Sequence, residues 1–233
     1  MNDLLSLQGF GPLLAQGTWM TLKLAFLSLL LSLLLGLVGA SAKLSHSKLL
    51  RIPATLYTTL IRSVPDLVLI LLLFYSMQIW LNDLTEALGW DYVEIDPFAA
   101  GVLTLGFIYG AYFTENFRGA ILSVPVGQLE AATAYGLSRT QRFRLVLFPQ
   151  LMRFALPGLG NNWLVLLKST ALVSIIGLAD LVKAAQNAGK TTNDMLFFLC
   201  LAGLVYLLIT TLSNRLFKHL ERRYNTGVRG LAR

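Results

Sequence analysis

The sequence predicts an all-α integral membrane fold of about five transmembrane helices, with the N-terminus outside and the C-terminus inside. Three observations predict it. Of 233 residues, 55% are hydrophobic and only 13% charged, against about 25% charged in soluble domains. A soluble core of this size could not hide so much apolar surface, so the solvent is lipid. The apolar residues come in long unbroken runs, not in the alternating pattern of a membrane barrel. The basic residues gather in every second connecting segment.

Residues 1–17 contain Asp3 and no Lys or Arg, so they lack the basic start of a signal peptide. Leu4, Leu5, Leu7, Phe10, Leu13 and Leu14 suggest a short helix lying in the interface. Five segments then have the roughly 20 apolar residues a crossing needs: Thr18–Ala42, Ala54–Leu81, Phe98–Leu122, Ala155–Leu178 and Met195–Phe217. Backbone groups in hydrocarbon must bond internally, which makes these segments helices. With the N-terminus outside, the inner segments 43–51, 123–154 and 215–233 hold thirteen of the 19 basic residues, and the outer segments hold only Lys183 and Lys190. Cytoplasmic segments collect Lys and Arg, which sets the orientation. The outer loop 82–97 carries Asp83, Glu86, Asp91, Glu94 and Asp96. It reads as a docking surface, as an attractor for cations, or as an ordinary solvated loop. No internal repeat is visible, and five helices are few for a complete secondary transporter. The whole chain reads as one transmembrane domain, with segment 123–154 and the tail 218–233 in the cytoplasm, that needs a second copy or a related chain.

Several functions are disfavoured. The net charge of +7 follows membrane orientation, with no nucleic-acid recognition motif beside it. Cys200 lies in an apolar segment and reads as a small packing residue, while His46 and His219 lie in expected loops far from any Cys partner. No metal site and no catalytic nucleophile–base set is expected. Residues 184–191, AAQNAGKT, nearly spell a phosphate-binding loop. Such a loop must join a strand to a helix, and this stretch lies between membrane spans on the outer face, so no nucleotide is expected there.

The segment 123–157 is the most informative. It is too polar to span and too long for a tight connection. Gln128–Tyr135 favours helix, Gly136 can end it with a left-handed turn, and Ser138 can cap a second helix. Pro149 is expected to interrupt that helix and Pro157 to mark the start of the next span. The result is a helix–turn–helix at the membrane surface.

Glu130-Ala131-Ala132, then Gly136, then Val146-Leu147-Phe148-Pro149 resembles the EAA loop of ABC importer permeases in both residues and spacing; Val146 and Phe148 are mild apolar departures. Three further stretches are similar to polar-amino-acid permeases: Gly17–Ala25, Thr59–Leu67 and Ala111–Ala120. Ser63, Val64 and Asp66 follow a variant seen in permeases for basic amino acids. The resemblance is greatest to the membrane subunits of the histidine/lysine/arginine/ornithine importers of Gram-negative bacteria. It implies a multi-pass inner-membrane subunit that is not itself an enzyme. It implies a homologous permease partner, a cytoplasmic ATPase dimer that binds ATP and Mg, and a periplasmic binding protein that delivers a basic amino acid. This chain would then carry no cofactor of its own. Glu130, Ala131, Ala132, Gly136, Val146, Phe148 and Pro149 would couple it to the ATPase. An ion-driven secondary transporter is the alternative, and it leaves the loop motif unexplained.

Charged residues inside the spans are costly and often functional. Lys23 can snorkel from a helix end. Arg62 and Asp66, at i,i+4 around Pro65, can pair or mark a gating kink. Glu115 and Arg118, at i,i+3, can neutralise one another, or Glu115 can attract a cationic substrate. Lys168, near the middle of the fourth span with Asn161 and Asn162 nearby, is a candidate for a substrate carboxylate or for an acid such as Glu115.

Overall fold

The computed structural model describes residues 7–225, and every element among them is helical. After a short 3-10 turn at Leu7–Gly9 come α1 (Gly11–Leu44), α2 (Lys48–Ser63), α3 (Asp66–Ala87), α4 (Pro97–Leu122) and α5 (Val126–Ala134). Then follow α6 (Arg139–Ile176), α7 (Leu181–Thr192) and α8 (Met195–Tyr224). Helices α1, α3, α4, α6 and α8 are long and apolar enough to cross a membrane.

Helices α1 and α4 form the centre. They run parallel and approach closely because a glycine on one helix makes room for a side chain of the other. Gly36 lies against Phe113, Gly39 against Thr114, Gly106 against Leu31 and Gly110 against Leu35. A Cβ on Gly36 would sit 2.6 Å from Phe113 Cβ. In lipid, close packing of this kind replaces the hydrophobic effect as the force holding helices together. Ser32 adds a hydrogen bond across the pair, donating to the Gly106 carbonyl at 3.2 Å. Leu24, Leu105, Ile108, Phe113, Leu166 and Leu167 fill the core around this contact.

The structure corrects five expectations. The second crossing is not one helix over 54–81. It breaks at Val64-Pro65, where Val64 is extended (φ −108°, ψ 140°), because proline lacks an N–H and forces the preceding residue out of the helical region. Residues 11–17 form the first turns of α1 and not a separate interfacial helix; Leu14 and Gly17 are buried, while Leu4 and Leu5 lie outside the described residues. Pro149 does not end its helix: the π-helical stretch Arg142–Leu147 shifts the hydrogen-bond register just ahead of it, and the helix runs on through Pro157. Cys200 is exposed on α8 and not packed inside. His219 lies within α8, which extends to Tyr224, while 226–233 of the expected tail lie outside the described residues.

The outer stretch 179–194 is also more than a loop. It folds as α7, with Leu181, Ala184, Ala185, Ala188 and Gly189 buried. The P-loop-like residues 184–191 therefore lie inside a helix, and their backbone donors cannot cradle phosphate. Gly189 sits there because a Cβ would come within 2.8 Å of Met195 Cα. Asp180 caps α7, accepting the Lys183 N–H at 2.9 Å, and is wholly buried. Burial pushes its carboxyl up to about 6, and the bond from Lys183 opposes that rise.

Candidate functional site

Two regions hold the residues singled out from the sequence. The first lies at the helix break. Gln78 of α3 accepts the Ile95 N–H at 2.9 Å and donates to the Val93 carbonyl at 2.7 Å, just before α4 begins. Asp66 is about a dozen residues further in along α3, and Tyr109 about a dozen along α4, roughly 18 Å of helix each. That depth is near the middle of a 30 Å hydrocarbon layer. There Tyr109 Oη donates to Asp66 Oδ2 at 2.8 Å. Ser169 Oγ lies 2.7 Å from the Tyr109 oxygen and 3.4 Å from the same carboxylate oxygen. The cluster joins the start of α3 at the helix break, the buried middle of α4, and the change from α to 3-10 geometry at Thr170 in α6.

Arg62 and Asp66 do not form the expected pair. The helix break removes their common face, and the Arg62 guanidinium lies 5.4 Å from the Tyr112 ring centroid instead. Lys168 adjoins Ser169, so it lies at the same depth, and it is exposed. Asn161, Val165 and Lys168 are all exposed at helical spacing on one face of α6, with Asn162 half-buried beside them. On α8, by contrast, the exposed face is a run of Leu204, Leu207, Leu208, Leu212 and Leu216. Gly158 makes room for the Asn116 amide and Gly160 for the Phe217 ring.

Glu115 does not meet Lys168. It lies nearer the inner end of α4, where one carboxylate oxygen takes Lys43 and the other accepts Arg118 Nε at 3.0 Å. Lys43 also donates to Thr58 at 2.8 Å, so the group ties α1, α2 and α4 together. The partner Lys43 is 72 residues away in sequence and was counted among the loop residues, which hid it from sequence reasoning. Tyr109 and Tyr112 were also missed. Their only signal was a pair of tyrosines at i,i+3 in a span already carrying Glu115 and Arg118.

The second region is the inner hairpin. Helix α5 ends in a reversal built on Gly136 (φ +75°), with Leu137 N–H donating to Ala132 O at 3.1 Å. Ser138 and Gln141 form a reciprocal cap: Ser138 N–H donates to Gln141 Oε1 at 2.9 Å and Gln141 N–H to Ser138 Oγ at 3.3 Å. Arg142 reaches back to Thr133 Oγ1 at 2.7 Å and clasps the two arms. Ala132 is buried between the arms, while Glu130 and Ala131 point outward. Val126 is 67% and Tyr135 88% exposed. Val146 is half-buried, and Phe148 packs 5.9 Å from Phe143 and 6.4 Å from Tyr224, centroid to centroid.

A broken crossing with charges at mid-depth, joined to a rigid inner hairpin with an unpartnered apolar surface, defines the membrane-spanning subunit of a solute transporter. Residues 28–226 match the family described as the inner membrane component of binding-protein-dependent transport systems, and the chain belongs to that family. It is 56% identical over 223 residues to the histidine/lysine/arginine/ornithine transport system permease protein HisQ of Escherichia coli, covering 96% of this chain and 98% of that one. It is 42% identical to the nopaline transport system permease protein NocQ of Agrobacterium fabrum, covering 95% and 94%. A solved amino acid ABC transporter with histidines shares 34% identity at a TM-score of 0.79, covering 95% of this chain and 98% of the other. The MetNI methionine transporter, at 21% identity and TM-score 0.64, shares the fold.

Proposed function

We propose that this chain is the permease subunit of an ATP-driven importer of basic amino acids in a bacterial inner membrane. Two coupled ATPase subunits hydrolyse ATP with Mg; this chain holds neither and catalyses no reaction. A periplasmic binding protein delivers the amino acid to the outer face. The observation that carries the reading is the hairpin Val126–Phe148. Its two caps and the Arg142 clasp make it a stiff lever, and its exposed Val126 and Tyr135 lie on the aqueous side, where apolar surface calls for a protein partner. Glu130, Ala131, Ala132, Gly136, Val146, Phe148 and Pro149 form or support that surface. Movement of the hairpin would be carried directly into α6, which is continuous with it, and so switch access between the two sides.

The Asn161–Val165–Lys168 face of α6 supports a second permease across the pathway. A lysine exposed at mid-depth is too costly against lipid, so that face looks onto another subunit or onto water, where Lys168 suits the carboxylate of the amino acid. The experiment is ATP-driven arginine uptake by the reconstituted four-component system, with and without a protonophore. Uptake that survives the protonophore and is lost when Glu130–Pro149 is replaced by a flexible linker of equal length supports the reading. Uptake that collapses with the proton gradient while ATP is maintained favours an ion-driven transporter, and uptake indifferent to the linker rejects the coupling role.

A further inference from the structure

Asp66 opens α3 half-buried at mid-depth. Its Oδ2 is engaged by Tyr109 and Ser169, and its Oδ1 accepts no hydrogen bond from the described residues. No cation pairs with it: the ion pairs among the described residues join Glu115 to Lys43 and to Arg118. A carboxylate kept there without a counter-ion is costly. Beside it, Tyr112 stacks on Tyr109, the residue that donates to Asp66, with ring centroids 5.5 Å apart. An aromatic face next to an unpaired carboxylate is the chemistry that recognises an organic cation, through the ring quadrupole and charge-assisted hydrogen bonds. The chain already places one such cation there, since the exposed Arg62 guanidinium rests on Tyr112.

We propose that Asp66 and Tyr112 form the recognition site for the cationic side chain of the transported amino acid, and that Arg62 is a tethered occupant which the substrate displaces. The proposal rests on the reading that the cargo is a basic amino acid. The helix break supplies the mobility. Arg62 lies in the last turn of α2 and Asp66 begins α3, with extended Val64 and Pro65 between, so the Arg62 side chain can swing away at a helix end without breaking a continuous hydrogen-bond ladder. A neutral side chain gains nothing from Asp66 and leaves Arg62 in place, which makes the site selective.

The test is direct binding of radiolabelled arginine and of citrulline, its neutral ureido analogue, to the assembled membrane complex in nanodiscs without binding protein. Asp66→Asn weakens arginine binding about tenfold and Tyr112→Leu several-fold, with citrulline unchanged by either. Tyr112→Phe keeps the ring and binds as the unaltered protein does. Arg62→Gln tightens arginine several-fold. Undetectable arginine binding by the unaltered complex, equal losses for both ligands, or weaker arginine binding by Arg62→Gln overturns the proposal. Arginine uptake by the unaltered importer is measured alongside. Its absence sinks the cargo assignment itself, whereas normal uptake with non-discriminating variants sinks only the displacement site.

Discussion

Two groups of charged side chains lie within the helical bundle, and they are built in opposite ways. Near the inner surface, Lys43, Glu115 and Arg118 satisfy one another, and the Lys43 and Glu115 side chains are only 11% and 18% exposed. At mid-depth, Asp66 in the tyrosine–serine cluster, Arg62 over Tyr112 and Lys168, next in sequence to Ser169, have no ion-pair partner among the described residues. A closed group is a brace. An open one keeps its charges available for a ligand or a second subunit. The comparison shows that an acid inside a span is read by its partners and not by its depth.

The sharpest way to break this contrast is Glu115→Gln. It strands Lys43 in a half-buried site and should destabilise the protein by about 3 kcal/mol, read as a lowered unfolding temperature in detergent. Uptake of arginine and of a neutral analogue should fall together; selective loss of arginine would give Glu115 a substrate role and erase the distinction. Lys168→Gln should do the reverse. It should cut uptake about a hundredfold, or roughly 2.7 kcal/mol, while the unfolding temperature stays within about a degree. A large loss of stability would make Lys168 a brace as well.

Gly36→Ala reaches the inner group through the backbone. The added methyl meets Phe113 and should cost about 2 kcal/mol by pushing α1, with Lys43, away from α4. If the unfolding temperature does not change, the close approach of these helices is not what holds the pair.

The smallest effect concerns Asp180, buried at the start of α7. Its folded pKa of about 6 lies above its ordinary value. The folded protein therefore holds the proton more tightly, and stability should fall as pH rises from about 4 to about 6, then level off. Asp180→Asn keeps the cap and should flatten this dependence, with a gain at pH 7.5. Asp180→Ala should lose about 1 kcal/mol with the cap. A pH profile unchanged in Asp180→Asn would place the titration elsewhere.

Much of this was legible in the residues. The apolar runs located all five crossings, but α1 begins seven residues and α6 sixteen residues earlier than expected, and Pro65 divides the second expected helix into α2 and α3. Gly136 and Ser138 announced the hairpin turn and cap because both act through neighbours in sequence. Pro149 misled, because its missing donor is absorbed by the π-helical register before it. For Lys168 the sequence left a substrate carboxylate and an acid such as Glu115 open, because the surface it faces depends on the rotation of α6.

By itself, the sequence determined the solvent, the five crossings, their orientation and the local form of the inner hairpin. These follow from transfer of apolar surface, from the need to bond every backbone group in hydrocarbon, and from caps that act within a few residues. Only the tertiary structure decided that Glu115 belongs to Lys43, that Asp66 belongs to Tyr109 and Ser169, and that α7 is buried. Those pairings depend on the register in which small residues let α1, α4 and α6 pack, a property that residues far apart in the chain set together.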